Sequence, residues 1–140
     1  MEAVNLRPKL VSLRATSFHG ENEDASDAGK PWKLQLTQTI EVALAVAEDK
    51  ALPMLAIVKI DLVAKAFREE AEDHTADFSA AYEAKFAYPP SATESEIAPK
   101  FQREPYQYVL VAQAFPLAMT HFRRELQAMG FDARDLPLGI

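Results

Sequence analysis

The sequence predicts an α+β fold: a four-stranded antiparallel sheet with C-terminal helices packed on one face. Three observations carry that expectation. Apolar residues recur with period two through the first half of the chain, and with helical spacing from Tyr106 to Gly130. Between the two regimes lies a polar stretch opened by Pro89 and Pro90, which end any strand before them. With 140 residues, 49% of them hydrophobic, the chain has the size and composition of one domain spanning 1–140.

The first strand is read at 9–18 (KLVSLRATSF), with Val11, Leu13 and Ala15 on one face and Leu10 and Phe18 on the other. Residues 20–31, rich in Gly, Asp, Asn and Ser, form an acidic loop. From Trp32 to Ala47, Leu34, Leu36, Ile40, Val42, Leu44 and Val46 share one parity, broken only by Gln38, so one face of this strand is buried. The alanine-rich TIEVALAVAEDKAL leaves a helix open as the alternative there. The third strand, 54–67, is apolar at every even position and also at Leu55 and Ile57, which suggests a second apolar surface at its start. After the acidic loop REEAEDHTAD, a fourth strand at 78–88 places Phe78, Tyr82, Phe86 and Tyr88 on one face. Short connections favour an antiparallel meander.

The sheet needs a cover, because an apolar face left bare is unstable in water. The stretch 89–105 reads as loop, with a turn of helix around Glu94–Ala98. Beyond it runs either one kinked helix over 106–129, or a short helix at 106–114 followed by a second opening near Pro116, since proline suits a helix's first turn. Met119, Phe122, Leu126 and Met129 form its apolar stripe, and Gly130 stands where a C-terminal glycine belongs.

Composition narrows the function. The formal charge of −6 argues against nucleic-acid binding, which needs a basic surface, and matches a basic partner. Without cysteine there is no disulfide, thiol nucleophile or cysteine zinc site. No apolar window is long enough for membrane insertion, and MEAVNLRPKLVSL is not a secretory leader, so a cytoplasmic location is expected. His19, His74 and His121 lack metal-ligand spacing, and neither Ser17 nor Ser79 sits in a nucleophile elbow. No glycine-rich loop cradles a phosphate, so no metal or cofactor is expected and the chain reads as a non-enzyme. The densest polar cluster is AFPLAMTHFRREL. His121 and Glu125, four apart, fit an ordinary helix-surface pair; the competing reading is a ligand-binding or enzymatic cleft built from His121, Arg124 and Glu125.

The same segment resembles the SecB family of export chaperones. Their final helix opens with proline, carries an aromatic six residues on, then one residue and Arg-Glu; here these are Pro116, Phe122, Arg124 and Glu125. Gly130, Phe131, Leu136 and Pro137 resemble the family's glycine, phenylalanine and Leu-Pro tail in shortened form, and Thr16-Ser17-Phe18-His19 resembles the end of its first strand. The resemblance implies an ATP-independent chaperone that holds unfolded or newly made polypeptides and assembles as a homotetramer, a dimer of dimers. A SecB-like protein serving a toxin–antitoxin pair, with an antitoxin as client, is the alternative within the family. On this reading Phe18, Leu55, Ile57, Phe131 and Leu136 form the client and interface surface, and Glu21, Glu23, Asp24 and Asp27 face a basic partner. Ala15 and His19 stand where family members carry acidic residues for the motor SecA, which weakens that expected contact.

Overall fold

The computed structural model describes residues 7–22, 32–49, 51–68, 74–131, 133, 134 and 136. Four strands of 14 residues each come first: β1 (Lys9–Asn22), β2 (Trp32–Ala45), β3 (Leu55–Arg68) and β4 (His74–Ala87). Two helices come after them, α1 (Glu94–Phe101) and α2 (Glu104–Ala128).

The sheet is antiparallel throughout, in the order β1-β4-β3-β2. The expected meander therefore holds only for β2, β3 and β4. The link from Asn22 to Trp32 is longer than a hairpin turn and joins the two opposite edges, so β1 pairs with β4 in a Greek-key order. β4 also begins earlier than the acidic composition before Phe78 suggested. Ala76 pairs with Ala66 and Asp77 with Lys65, the backbone pairing being indifferent to the charge on the open face.

Alternation along β3 and β4 makes the core. Ala56, Val58, Ile60, Leu62, Ala64 and Ala66 are buried, as are their neighbours Phe78, Tyr82 and Phe86 on β4. β1 reaches the same core by a route its sequence hides. Leu10 opposes Phe86, Leu13 opposes Ala84, Ala15 opposes Tyr82 and Phe18 opposes Ala80, with register shifts at Val11 and Thr16. Each shift is a β-bulge, one extra residue that resets the parity of the strand beyond it. Two of them bring Leu10, Leu13 and Phe18 onto one face, contrary to the simple period-two assignment, while Val11 turns out to solvent. The Thr16 hydroxyl steadies the second bulge by donating to the Ala81 carbonyl at 3.1 Å.

α1 is longer than the single turn expected, running 8 residues with Pro99 inside it and Ile97 and Phe101 buried. α2 is one helix of 25 residues that passes straight through Pro116, which resolves the one-or-two alternative. Pro105 sits in its first turn, where its missing N–H costs nothing. At Pro116 the bond lost is to the Ala112 carbonyl, and Ala112 is exposed, so water can replace it. Leu110, Val111, Ala114, Phe115, Ala118, Met119, Phe122 and Leu126 line its buried side. This stripe packs on β1, β4 and β3.

The helix ends in a Schellman motif. Phe131 N–H donates to the Leu126 carbonyl at 3.0 Å and Gly130 N–H to Gln127 at 3.1 Å, with Gly130 at φ +93°. The turn drops Phe131 into the core edge-on to Phe78, ring centroids 5.1 Å apart, and Leu136 is buried after it. Arg123 secures this tail by donating from Nε to the Ala133 carbonyl at 2.9 Å and from its guanidinium to Arg134 at 3.0 Å. β1 meets the helix end closely: Asn22 donates to the Met129 carbonyl at 2.9 Å, and a Cβ on Gly20 would stand 2.6 Å from the Met129 sulfur.

Candidate functional site

The polar cluster of α2 comes first, because its sequence drew attention. His121 Nδ1 lies 2.7 Å from the hydroxyl of Tyr82 on β4, and its Nε2 lies 3.5 Å from Glu125 Oε1. Tyr82 is almost wholly buried, and burial, assisted by the Glu125 charge, holds its phenol well above the ordinary tyrosine range. The protonated phenol and His121 Nδ1 share one hydrogen bond, and His121 Nε2 faces Glu125. Phe18 meets the His121 ring edge-on at 6.5 Å. Arg124 is exposed and points to no member of this set; its neighbour Arg123 holds the tail instead. The arrangement ties helix to sheet, and both ring nitrogens of His121 are already engaged. A tyrosine pair, Tyr88 and Tyr106 joined hydroxyl to hydroxyl, fastens the start of α2 to the end of β4.

The apolar surface is arranged differently. α2 covers three strands and leaves β2 on its flank, so Leu34, Leu36, Ile40, Val42 and Leu44 are only partly buried. Two grooves open beside this row. One, of about 530 Å³, has Ile40 and Val42 as its floor and Pro105, Tyr108 and Val111 of α2 as its wall. The other, of about 650 Å³, lies at the β2–β3 turn between Val46, Leu52, Met54, Pro89 and Ala92. Val46 and Leu52 are 48% and 59% exposed, which makes this a surface where apolar groups meet water. Both volumes suit a few large side chains or a short stretch of chain.

Among the described residues, the opposite face of the sheet carries no helix. In register across it run Arg14, Glu83, Lys59 and Glu41, one from each strand in spatial order and alternating in charge. Arg14 bonds Glu83 at 3.1 Å, and Lys85 reaches Glu83 at 3.7 Å. At one corner Leu55 and Ile57 pair with Ala45 and Ala43 on β2, forming a half-buried apolar patch.

The residues expected to act together are thus dispersed. Leu55 and Ile57 sit on the bare face, Phe18 lies under α2 against Phe122, and Phe131 and Leu136 are core rather than surface. The last two are buried because the Schellman turn folds the tail back on β4. Glu21 is exposed beside His19 at 3.4 Å, while Glu23, Asp24 and Asp27 lie outside the described residues. Sequence reading missed the β2 groove. Its signal was Tyr108 on α2, about half exposed and off the buried stripe.

No family model and no curated protein matches this sequence. A solved structure does match in architecture: a SecB-like chaperone of Mycobacterium tuberculosis, Rv1957, in complex with a ChAD peptide from the antitoxin HigA1. The TM-score is 0.65 over 94% of this chain and 90% of that one, at 14% identity. The fold is SecB-like. The four-stranded antiparallel sheet followed by C-terminal helices agrees with the expectation from the α2 motif, while the strand order departs from the expected meander. Among the described residues, no helix is long and apolar enough to cross a membrane.

Proposed function

We propose that the protein is a non-catalytic holding chaperone, binding unfolded or newly made polypeptides without ATP and keeping them soluble or competent for translocation. The observation that carries this is the apolar row of β2, left half-covered between two open grooves. A surface of that kind is costly to an isolated chain and useful to one that captures apolar segments. The SecB-like fold supports the reading, since the matched chaperone is bound to a peptide from an antitoxin. An antitoxin is accordingly the specific client we favour over the general export pool. The replacement of acidic residues by Ala15 and His19 weakens recruitment of SecA. Self-assembly to a cytoplasmic tetramer fits the exposed Val109 and Leu117 of α2 and the outward Val11 of β1, each a single apolar group awaiting a partner.

Light scattering of a chemically denatured client, diluted with and without stoichiometric protein, tests the function. Suppressed aggregation is expected, and Val42→Asp or Tyr108→Asp should abolish it while leaving the circular dichroism intact. Undiminished aggregation with folded wild-type protein would reject the proposal. A second reading, a ligand cleft at His121, is the weaker because Tyr82 and Glu125 occupy that side chain.

A further inference from the structure

The groove at the β2–β3 turn opens on the helix-bearing side of the sheet. Its lining residues Met54 and Ala92 pack against the core, and Thr93 and Glu94 belong to the head of α1. The chain that leads into β1 arrives at this same end. Lys9 pairs with Ala87 at the close of β4, and just beyond Ala87 the prolines Pro89 and Pro90 line the groove. Leu10 pairs with Phe86 and Lys9 with Ala87, so the same antiparallel count sets Leu6 level with Pro90.

Parity points the same way. Leu10 packs on the core, Pro8 is partly buried, and Arg7 and Lys9 are exposed. Leu6 and Val4 continue the even series, with Asn5 and Ala3 between them. Pro8 disfavours a helical Arg7, so the chain enters β1 extended and in line with the strand. The reach is sufficient. From β1 to β2 is three interstrand spacings, about 14 Å, and six extended residues span up to about 20 Å.

We propose that residues 1–6 cross the end of the sheet into this groove, seating Leu6 and Val4 against Pro90, Met54 and Leu52 as a built-in competitor for apolar segments. The inference rests on the chaperone reading and adds a regulation of one of its grooves. A segment tethered this closely acts at a mM effective concentration, so even mM affinity keeps the groove about half occupied. An incoming apolar segment must displace it, which raises the threshold for capture and shields Val46 and Leu52 from chance contacts.

The first test uses the full chain with p-benzoylphenylalanine in place of Leu6, irradiated as an equal mixture of isotopically light and heavy protein and mapped by mass spectrometry. Cross-links within one chain to Met54, Leu52 or Pro90 are expected. Cross-links only between chains would assign the groove to a second copy and overturn the inference, as would links confined to other residues or none at all. The second test titrates anilinonaphthalene sulfonate, an apolar fluorescent probe. The pair Val4→Asp and Leu6→Asp should tighten its binding about two- to fivefold, and adding Leu52→Asp should cancel that gain. Unchanged binding, or a gain that survives Leu52→Asp, would overturn the inference. Both substitutions precede β1, and circular dichroism checks that the sheet is kept. Aggregation suppression on the same samples separates the two claims. Suppression at a lower protein ratio by the double variant supports the competitor, and equal suppression removes it while the chaperone reading stands. No suppression by either protein rejects the chaperone reading, and the cross-link and probe results then decide whether the segment occupies the groove.

Discussion

Replacing His121 by leucine should destabilise the protein more than removing the hydroxyl it binds. Leucine keeps the bulk of the imidazole and keeps water out, but it leaves the Tyr82 hydroxyl, on a residue only 2% exposed, without an acceptor. An unpartnered buried donor costs about 1–3 kcal/mol. Tyr82→Phe instead leaves the Nδ1 of a side chain that is 39% exposed and can be rehydrated, at a cost nearer about 1 kcal/mol. The surface pair with Glu125 adds only a few tenths, about 0.3 kcal/mol. In the double variant a phenyl ring faces a leucine and the orphaned donor is gone, so its total cost should fall about 1–2 kcal/mol below the sum of the two. Urea unfolding at one fixed protein concentration measures all three, the fixed concentration removing any contribution from assembly. Additivity to within about 0.5 kcal/mol would refute the coupling and with it the structural role given to His121. The same variants should suppress client aggregation as well as the wild type; a selective loss in His121→Leu would favour the ligand-cleft reading.

Gly20→Ala should destabilise by about 1–3 kcal/mol, because its Cβ would meet the Met129 sulfur at 2.6 Å, and Met129→Ala should recover most of the loss in thermal melts. Alkaline stability should turn on Tyr82 and Tyr88, whose phenols are raised by burial, Tyr88 further by its bond to Tyr106. The folded state keeps both protons where the unfolded chain loses them, so stability should be intact below about pH 10 and fall as pH rises beyond it. Tyr88→Phe should flatten that fall in urea titrations, and an unchanged slope would count against the buried assignment. Arg123→Ala should free the tail without unfolding the sheet, seen as faster amide exchange at Phe131 and Ala133 while β3 amides stay protected.

Elements whose side chains obey one period were legible beforehand. β2, β3 and the α2 stripe came from alternation and from the 3-4 spacing of Met119, Phe122 and Leu126. The Gly130 stop was legible too, since a positive φ there favours glycine. β1 was misread because each bulge inserts a residue that no pattern announces, and a period-two reading then assigns half the strand to the wrong face. Strand order was hidden because it depends on which apolar faces find each other across the chain, not on local spacing. The placement of Phe131 and Leu136 was missed for a related reason: their neighbours look like a free tail, and only the Schellman turn with Arg123 shows them packed.

The Greek-key order also sorts the charge. The strand ends that flank residues 23–31 and 69–73 lie at the same end of the sheet, where β1 and β3 finish and β2 and β4 begin. The first segment holds three acids against one lysine and the second holds four acids, which together equal the whole formal charge of −6. The rest of the molecule is electrically neutral as a sum. The charge imbalance therefore belongs to two segments whose flanking strand ends lie together at one end of the sheet, and association with a basic molecule should slow steeply with added salt.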